Sequence, residues 1–121
     1  MKLIIAGGRE FDDYNLLKIE VTNFTSLVYN KNVDSTLEIV CGMARGADSL
    51  GERYAKENHI PIKYFPANWN LYGKSAGYIR NEEMGNYADH LIAFWDGKSK
   101  GTKNMIDIAN KYKLCVKVIN Y

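Results

Sequence analysis

Short apolar runs alternate with longer segments of helical period along this chain, and this alternation restricts the possible folds more than any other feature. The runs lie at residues 2–6, 37–41, 62–65, 90–95 and 115–119. Short, mainly apolar runs are typical of strands buried on both faces of a sheet. We therefore predict five buried strands.

The segments between the runs have the period of amphipathic helices. In the first of them, Leu17, Val21, Phe24 and Val28 recur at spacings of three and four residues, which places them on one face of a helix. Similar patterns predict helices at residues 47–58, about 76–87 and 102–112. Strands that alternate with helices form parallel sheets through right-handed crossovers, so we predict an open, doubly wound α/β fold.

Length and charge limit the classes of function. The chain has 121 residues, of which 46% are hydrophobic, which suits one domain over residues 1–121. Its net charge of +2 comes from 16 basic and 14 acidic side chains. This balance does not favour a polyanion partner bound through bulk charge, so nucleic acid is not an expected partner.

The sequence offers no signal for a membrane, a secretion route or a metal. No stretch approaches the roughly 20 apolar residues that span a bilayer, and the first apolar run leads directly into a glycine turn. We expect a cytoplasmic protein without a membrane partner. Cys41 and Cys115 are isolated at the ends of apolar runs, so we expect buried, reduced, structural thiols and neither a metal site nor a cofactor.

The loops that follow the strands carry the candidate chemistry, because ligands of such sheets bind at the carboxyl ends of the strands. Residues 7–13, 42–48 and 96–102 each combine glycines with a basic residue before a predicted helix. Glycine allows close approach of the backbone, and first-turn N–H groups bind phosphate. A single glycine loop would be read as an ordinary turn, but three at one edge of a sheet favour a phosphate site.

The loop after the third strand is long and aromatic. It covers residues 66–77, whereas most connections in α/β units have two to six residues. Trp69 and Tyr72 are predicted to cover a bound ligand by stacking on a base or sugar; alternatively, Trp69 packs over the edge of the sheet. Lys74 and Arg80 lie near the start of the third predicted helix, where both can reach a phosphate.

Five ordered blocks of these residues resemble a known family. The blocks are Gly42-x-x-Arg45-Gly46-Ala47-Asp48, Pro66-Ala67-x-Trp69, Gly73-Lys74-x-Ala76-Gly77-x-x-Arg80-Asn81, Ala88-Asp89 and Phe94-Trp95-Asp96-Gly97-x-Ser99-x-Gly101-Thr102. Together they are similar, nearly end to end, to the YspA-like family, a cpYpsA-related branch of the SLOG superfamily found in bacteria and their phages. The resemblance implies a Rossmann-like three-layer αβα sandwich with a five-stranded parallel sheet of order 3-2-1-4-5.

The resemblance also implies a ligand class: nucleotides, nucleotide sugars or related molecules. Other branches of the superfamily include the LONELY GUY phosphoribohydrolases and the DNA-processing protein DprA. The enzyme branch carries an arginine and a methionine, matched here by Arg80 and Met84, and a Gly-Thr-x-x-Glu turn. Gly101-Thr102 matches the start of that turn, but its glutamate position is Met105.

The methionine at position 105 bears on catalysis and not on phosphate binding. In the enzyme branch the carboxylate faces a developing oxocarbenium ion, and methionine cannot supply that charge. Arg80, Asp96 and Glu83 remain the candidate catalytic residues, with Glu82 and Asp12 as further carboxylates that could replace the missing one. Each of these carboxylates could equally be a helix cap or dipole partner.

Three hypotheses for function follow. The first is a protein that binds a nucleotide, a nucleotide sugar or an ADP-ribose-like ligand as a sensor or sequestering module. The second is a hydrolase acting on a nucleotide or its N-glycosidic bond. The third is a single-stranded DNA-binding module, which needs aromatic side chains interleaved with basic ones, as at Trp69, Tyr72, Lys74, Tyr78 and Arg80; the low net charge speaks against it.

The residues predicted to bind the ligand are Gly7, Gly8, Arg9, Gly42, Arg45, Gly46, Ala47, Asp48, Trp69, Tyr72, Lys74, Arg80, Asn81, Asp96, Gly97, Ser99, Gly101 and Thr102. His59 and His90 are expected to lie away from the ligand. Surface aromatics such as Tyr112 and Tyr121 suggest a homo-oligomer, although an edge of the core would explain them equally well.

Overall fold

The computed structural model describes residues 1–29 and 36–121. The side chain of Val28, a predicted anchor of the first helix, lies outside the described residues. The strands are β1 (Lys2–Gly7), β2 (Glu38–Cys41), β3 (Ile62–Tyr64), β4 (His90–Trp95) and β5 (Cys115–Asn120). The helices are α1 (Tyr14–Tyr29), α2 (Ala47–Glu57), α3 (Trp69–Tyr72), α4 (Ala76–Tyr87) and α5 (Lys100–Lys111), with a 3₁₀ turn at Gly73–Ser75.

The strands form one all-parallel sheet of order β3-β2-β1-β4-β5. This confirms the predicted Rossmann-like α/β fold and its strand order. β1 pairs with β2 on one side, with Ile4 opposite Val40, and with β4 on the other, with Leu3 opposite His90. The strand order therefore reverses at β1, and a crevice opens at its carboxyl end, which is where ligands of such sheets bind.

Each face of the sheet has its own hydrophobic core. Leu3 and Ile5 pack with residues of α1 and α2, whereas Ile4 packs with residues of α4 and α5, such as Met84 and Met105. Successive strand residues point to opposite faces, so β1 and β4 are buried on both sides. Each such leucine or isoleucine stabilises the fold by roughly 1.5 to 3 kcal/mol. The prediction of burial was wrong for β3 and β5, whose residues are half-buried or exposed because both strands lie at an edge of the sheet.

One predicted loop is confirmed and another differs in the structure. The first glycine loop, predicted over residues 7–13, leads directly into α1, which begins at Tyr14. The segment between β3 and α4 is not an irregular loop, since it contains α3 and the 3₁₀ turn. The Asn68 side chain begins α3 by accepting a hydrogen bond from the Leu71 N–H at 3.1 Å, as N-cap residues do.

The cysteine prediction was right for one thiol and wrong for the other. Cys41 is buried at the end of β2, whereas Cys115 is exposed. Cys115 begins β5, which lies at the edge of the sheet, and an edge strand has no neighbour on one side to cover it. In the described parts of the chain, no helix has both the length and the apolar character needed to cross a membrane.

Candidate ligand-binding site

A cavity of about 380 Å³ opens at the carboxyl ends of β1 and β4. Its volume lies in the lower part of the range for small-molecule sites, roughly 300 to 1,000 Å³. Most of the predicted ligand residues line it: Gly7, Gly8, Arg9, Asp48, Trp69, Lys74, Arg80, Asn81, Asp96, Ser99, Gly101 and Thr102. They come from loops far apart in the sequence, which the parallel sheet brings to one edge.

The first turn of α5 forms one side of the cavity. Ser99 caps the helix, because its Oγ accepts a hydrogen bond from the Thr102 N–H at 3.3 Å. The Gly101 N–H has no hydrogen-bond partner among the described residues, and the space beside Gly101 is open. Unpaired N–H groups at the positive end of a helix dipole bind anions, so this turn is suited to a phosphate group.

Arg80 on α4 reaches the opposite side of the cavity. Its Nη1 donates a hydrogen bond to the Gly42 carbonyl oxygen, and its Nε donates to Asn81 Oδ1 at 3.0 Å. Asn81 in turn donates from Nδ2 to Asn104 Oδ1 at 3.0 Å and to the Gly101 carbonyl oxygen at 3.4 Å. This chain of bonds fixes the guanidinium relative to α5. Arg80 Nη2 has no hydrogen-bond partner in residues 1–29 and 36–121, so it can donate to an anion.

Asp48 lies at the back of the cavity in the first turn of α2. Its Oδ2 accepts a hydrogen bond from the Ala44 N–H at 3.2 Å. Burial raises the pKa of Asp48 from its ordinary value of 3.8 to about 6, against the opposing effects of Arg80, the Ala44 N–H and Arg9. Burial likewise lowers the pKa of Arg80, which the charge of Asp48 opposes. The two groups thus stabilise each other's charge across a poorly solvated space.

Three predicted ligand residues, Gly42, Gly46 and Ala47, support the cavity from behind and do not line it. A Cβ at Gly42 would lie 2.7 Å from Asp48 Oδ2. Gly46 has φ +78°, and a Cβ there would lie 2.3 Å from the Gly8 carbonyl oxygen. The Ala47 N–H donates to that same oxygen at 3.3 Å. The amino end of α2 is therefore engaged by the protein itself.

Other predicted residues also lie outside the cavity lining. Arg45 forms an exposed ion pair with Glu10 at 2.9 Å, and Tyr72 and Gly97 are exposed without lining the cavity. The carboxylate candidates Glu83 and Asp12 are exposed and outside the lining. Glu82 is half-buried, also lies outside the lining, and accepts hydrogen bonds from Lys111 and Tyr112 at 2.5 Å.

Asp96 is the catalytic carboxylate candidate that does line the cavity. Its Oδ1 accepts hydrogen bonds from the N–H groups of Lys98 and Ser99, both at 2.8 Å, and these bonds lower its pKa. An ionised carboxylate that holds a turn in this way cannot donate a proton at neutral pH. Asp96 therefore suits the role of hydrogen-bond acceptor or base.

The lining also includes residues that the sequence did not indicate as nucleotide contacts, although Tyr78 was named for the DNA-binding hypothesis: Ala6, Glu10, Ala44, Gly77, Tyr78, Met84 and Met105. Ala6, Met84 and Met105 are buried and form an apolar floor. The sequence did not mark these three residues as ligand contacts, because core residues without a ligand contact follow the same helical or strand period. Tyr78 follows Gly77 in one of the family blocks, and its half-exposed ring stands at the cavity with Trp69.

Comparison with known proteins identifies the family of this chain. A family model described as "YspA, cpYpsA-related SLOG family" matches residues 1–72. The chain belongs to this family. It is also similar to the Gene 61 protein of Mycobacterium phage D29, with 36% identity over 91 residues, which cover 70% of this chain and 71% of that protein. No solved structure shows a significant match.

Membership of this SLOG family indicates, at a coarse level, a nucleotide-related ligand. The matched region contains the loops after β1 and β2 and extends to α3. Arg80, Asp96 and the first turn of α5 lie beyond residue 72, so their assignment to the site depends on the cavity geometry and on the sequence blocks.

Proposed function

We propose that this SLOG-family protein binds a nucleotide or a nucleotide-derived ligand, such as an ADP-ribose-like molecule or a nucleotide sugar, as a sensor or sequestering module. One observation carries the proposal. Arg80 and Gly101 line one cavity, and Arg80 Nη2 and the Gly101 N–H have no hydrogen-bond partner in the part of the chain that the structure describes. Asn81 links the two residues, because it accepts a hydrogen bond from Arg80 and donates one to the Gly101 carbonyl oxygen.

The phosphate end of the ligand lies between α4 and α5. Arg80 and the first turn of α5 supply hydrogen-bond donors there, and Arg9 and Lys74 add positive charge from two further segments of the lining. Charge-assisted hydrogen bonds of this kind are about twice as strong as neutral ones. Donors held in place before binding lose little conformational entropy when the ligand arrives.

The base and sugar lie against the remaining lining. Trp69 and Tyr78 offer aromatic faces on which a base can stack. The apolar floor of Met84 and Met105 excludes water beneath the ligand without adding charge. Asp96 and Glu10 are carboxylates at the exposed side of the cavity, where they can accept hydrogen bonds from ribose hydroxyl groups.

The proposal is tested by native mass spectrometry of freshly purified protein, followed by calorimetric titration with AMP, ADP-ribose and UDP-glucose. We expect a co-purifying nucleotide or micromolar binding of at least one compound. Arg80→Lys should weaken that binding by roughly tenfold, because lysine keeps the charge but loses the planar pair of donors.

Arg53→Lys is the matched control, since Arg53 lies on α2 in an exposed ion pair with Glu57, outside the cavity lining. It should bind the same compound as tightly as the wild type. A wild-type protein that is empty and ignores the whole panel would contradict the proposal.

A hydrolase is the second candidate function, favoured by one observation. Asp48 and Asp96 line the same cavity, and their environments move their pKa values in opposite directions, to about 6 for Asp48 and downward for Asp96. Such divergence is typical of acid and base pairs. Incubation with nucleoside monophosphates and ADP-ribose, followed by chromatography for free base, tests this candidate; no release of base would rule against it.

A homo-oligomer remains a prediction. Tyr112 and Tyr121 are both partly exposed, but each also has a partner within the chain: Tyr112 donates to Glu82, and the Tyr121 ring lies 4.8 Å from that of Phe11. Light scattering coupled to size-exclusion chromatography measures the assembly directly. A mass of one chain at all concentrations would contradict the prediction.

A further inference from the structure

Asp48 differs from the other carboxylates of the cavity in its burial. Its side chain is almost inaccessible to solvent, whereas Glu10 and Asp96 are exposed. Its Oδ2 accepts a single hydrogen bond, from the Ala44 N–H, although an ionised carboxylate has room for about four. Asp48 forms no direct ion pair within the described residues. Its charge is therefore stabilised mainly by cations that lie across the cavity.

These cations are Arg80 on α4 and Arg9 in the loop after β1. Asp48 and Arg80 face the same point in space, since a Cβ at Gly42 would lie 2.7 Å from Asp48 Oδ2 and 3.1 Å from Arg80 Nη1. Another titratable neighbour is Cys41 on β2, whose thiol donates to the Asp48 carbonyl oxygen at 3.8 Å. Burial raises the pKa of that thiol to about 11, so it stays neutral.

A bound anion would need the same two cations. Arg80 and Arg9 both line the cavity, and a phosphate group between them would bring a second negative charge close to a buried carboxylate. Like charges in a poorly solvated site cannot both ionise without a large free-energy cost. Protonation of the carboxylate removes that cost, so that the charges of Arg80 and Arg9 stabilise the ligand alone.

We propose, on the basis of the binding function above, that Asp48 takes up one proton when an anionic ligand enters the cavity. The proton comes from solvent, forms an O–H bond on the carboxyl group, and returns to solvent when the ligand leaves. The unliganded group is suited to this change, because burial places its pKa at about 6 and it is ionised at neutral pH. Asp48 is thus a positioning residue that makes ligand affinity depend on pH.

The test is calorimetric titration with ADP-ribose and with sulfate, two probes whose charges do not titrate between pH 5.5 and 8. Titration at pH 7 in two buffers of different ionisation enthalpy measures the protons taken up per ligand bound. We expect an uptake of about half a proton or more for the wild type. Its affinity should fall by roughly three- to tenfold between pH 6 and pH 7.5.

Two variants separate Asp48 from a general effect of charge. Asp48→Asn should bind without proton uptake, with an affinity that does not vary with pH and that exceeds the wild-type affinity at pH 8. Asp96→Asn removes a carboxylate from the same cavity, but that carboxylate is already ionised over this pH range because of its two N–H donors. It should shift the affinity equally at all pH values and retain the uptake.

The outcomes distinguish a failure of the proposed role of Asp48 from a failure of the binding function. Binding of either probe without proton uptake would overturn the role of Asp48 while leaving the binding function intact. Failure of both probes, and of AMP and UDP-glucose, to bind at pH 5.5 would overturn both. If Asp48→Asn does not fold, the carboxyl ¹³C signal of Asp48 in the wild type should titrate at a higher pH with ADP-ribose present than without it, and an unchanged titration would overturn the proposal.

Discussion

Arg80 donates a hydrogen bond to the carbonyl oxygen of Gly42, and this bond joins α4 to the residue that follows β2. The contact exists because Gly42 has no side chain, which leaves space for both the guanidinium and the carboxylate of Asp48. Arg80, Gly42 and Asp48 thereby form one charged unit at the back of the cavity, although Arg80 and Gly42 are 38 positions apart in the sequence.

We expect Gly42→Ala to disrupt this unit. The added Cβ would lie 2.7 Å from Asp48 Oδ2 and 3.1 Å from Arg80 Nη1, so one of the two side chains must move. The variant should lose about 1 to 3 kcal/mol in the free energy of unfolding, as overpacked sites do, and should bind nucleotide at least several times more weakly. Urea unfolding and calorimetric titration measure the two effects.

Gly101→Ala is the control for stability, since among the described residues no atom beyond its chain neighbours and the local helix backbone lies within 4 Å of the position that its Cβ would occupy. It should be as stable as the wild type or slightly more stable, because alanine favours a helix over glycine. Equal destabilisation of the two variants would contradict the assigned role of Gly42.

The stability of the protein should depend on pH through Asp48. Its pKa is raised from 3.8 to about 6 on folding, so the folded state binds more protons than the unfolded chain between those values. The wild type should therefore lose stability as the pH rises from about 4 to 6, by about 2 to 3 kcal/mol in total, and keep that loss at higher pH.

Asp48→Asn should remove this dependence, so that the variant is more stable than the wild type at pH 7.5 and similar to it at pH 4. Asp107→Asn, which changes an exposed carboxylate paired with Lys103, should keep the wild-type dependence. Chemical unfolding at the two pH values provides the comparison, and a wild type that gains stability over this range would show that Asp48 is not the controlling group.

Trp69 should contribute to affinity by stacking. It lines the cavity with half of its surface exposed, whereas Leu71 in the same short helix is outside the lining. Trp69→Ala should weaken nucleotide binding by roughly 5- to 100-fold, corresponding to about 1 to 3 kcal/mol for a stacked base. Leu71→Ala should have little effect.

Fluorescence gives a second measurement at this position. In a Trp95→Phe background, Trp69 is the remaining tryptophan of the chain, and its emission should be quenched by a stacked base. Unchanged emission on saturation with a nucleotide that calorimetry shows to bind would place the base elsewhere in the cavity.

Restoring a carboxylate at Met105 should not by itself create a hydrolase. Met105 is buried with Met84 and Ile4 in the apolar core beneath the cavity, where a glutamate would lack hydrogen-bond donors. Met105→Glu should lower the free energy of unfolding by about 2 to 5 kcal/mol, whereas Met105→Leu should cost less than about 1.5 kcal/mol. Thermal unfolding measures the loss of stability, and an assay for free base measures hydrolysis. Release of base by the Met105→Glu variant would contradict the prediction that this change alone does not create a hydrolase.

Sequence patterns predicted the fold well because they report local physical requirements. Mainly apolar runs, as in β1 and β4, suit strands that are covered on both faces. The same reasoning missed α3, since its 4 residues are too few to show a helical period. It also treated Cys115 as buried, because an apolar run does not reveal whether its strand is central or at an edge.

The sequence by itself determined the order of the strands and of the four longer helices, the edge of the sheet at which the cavity opens, and the types of residue available there. The tertiary structure decided which of those residues face the cavity. Gly46 and Ala47 look like phosphate-binding residues in the sequence, yet the backbone of Gly8 occupies the space and the hydrogen bond that a ligand would need. The distinction depends on contacts between segments far apart in the chain, and no local pattern encodes those contacts.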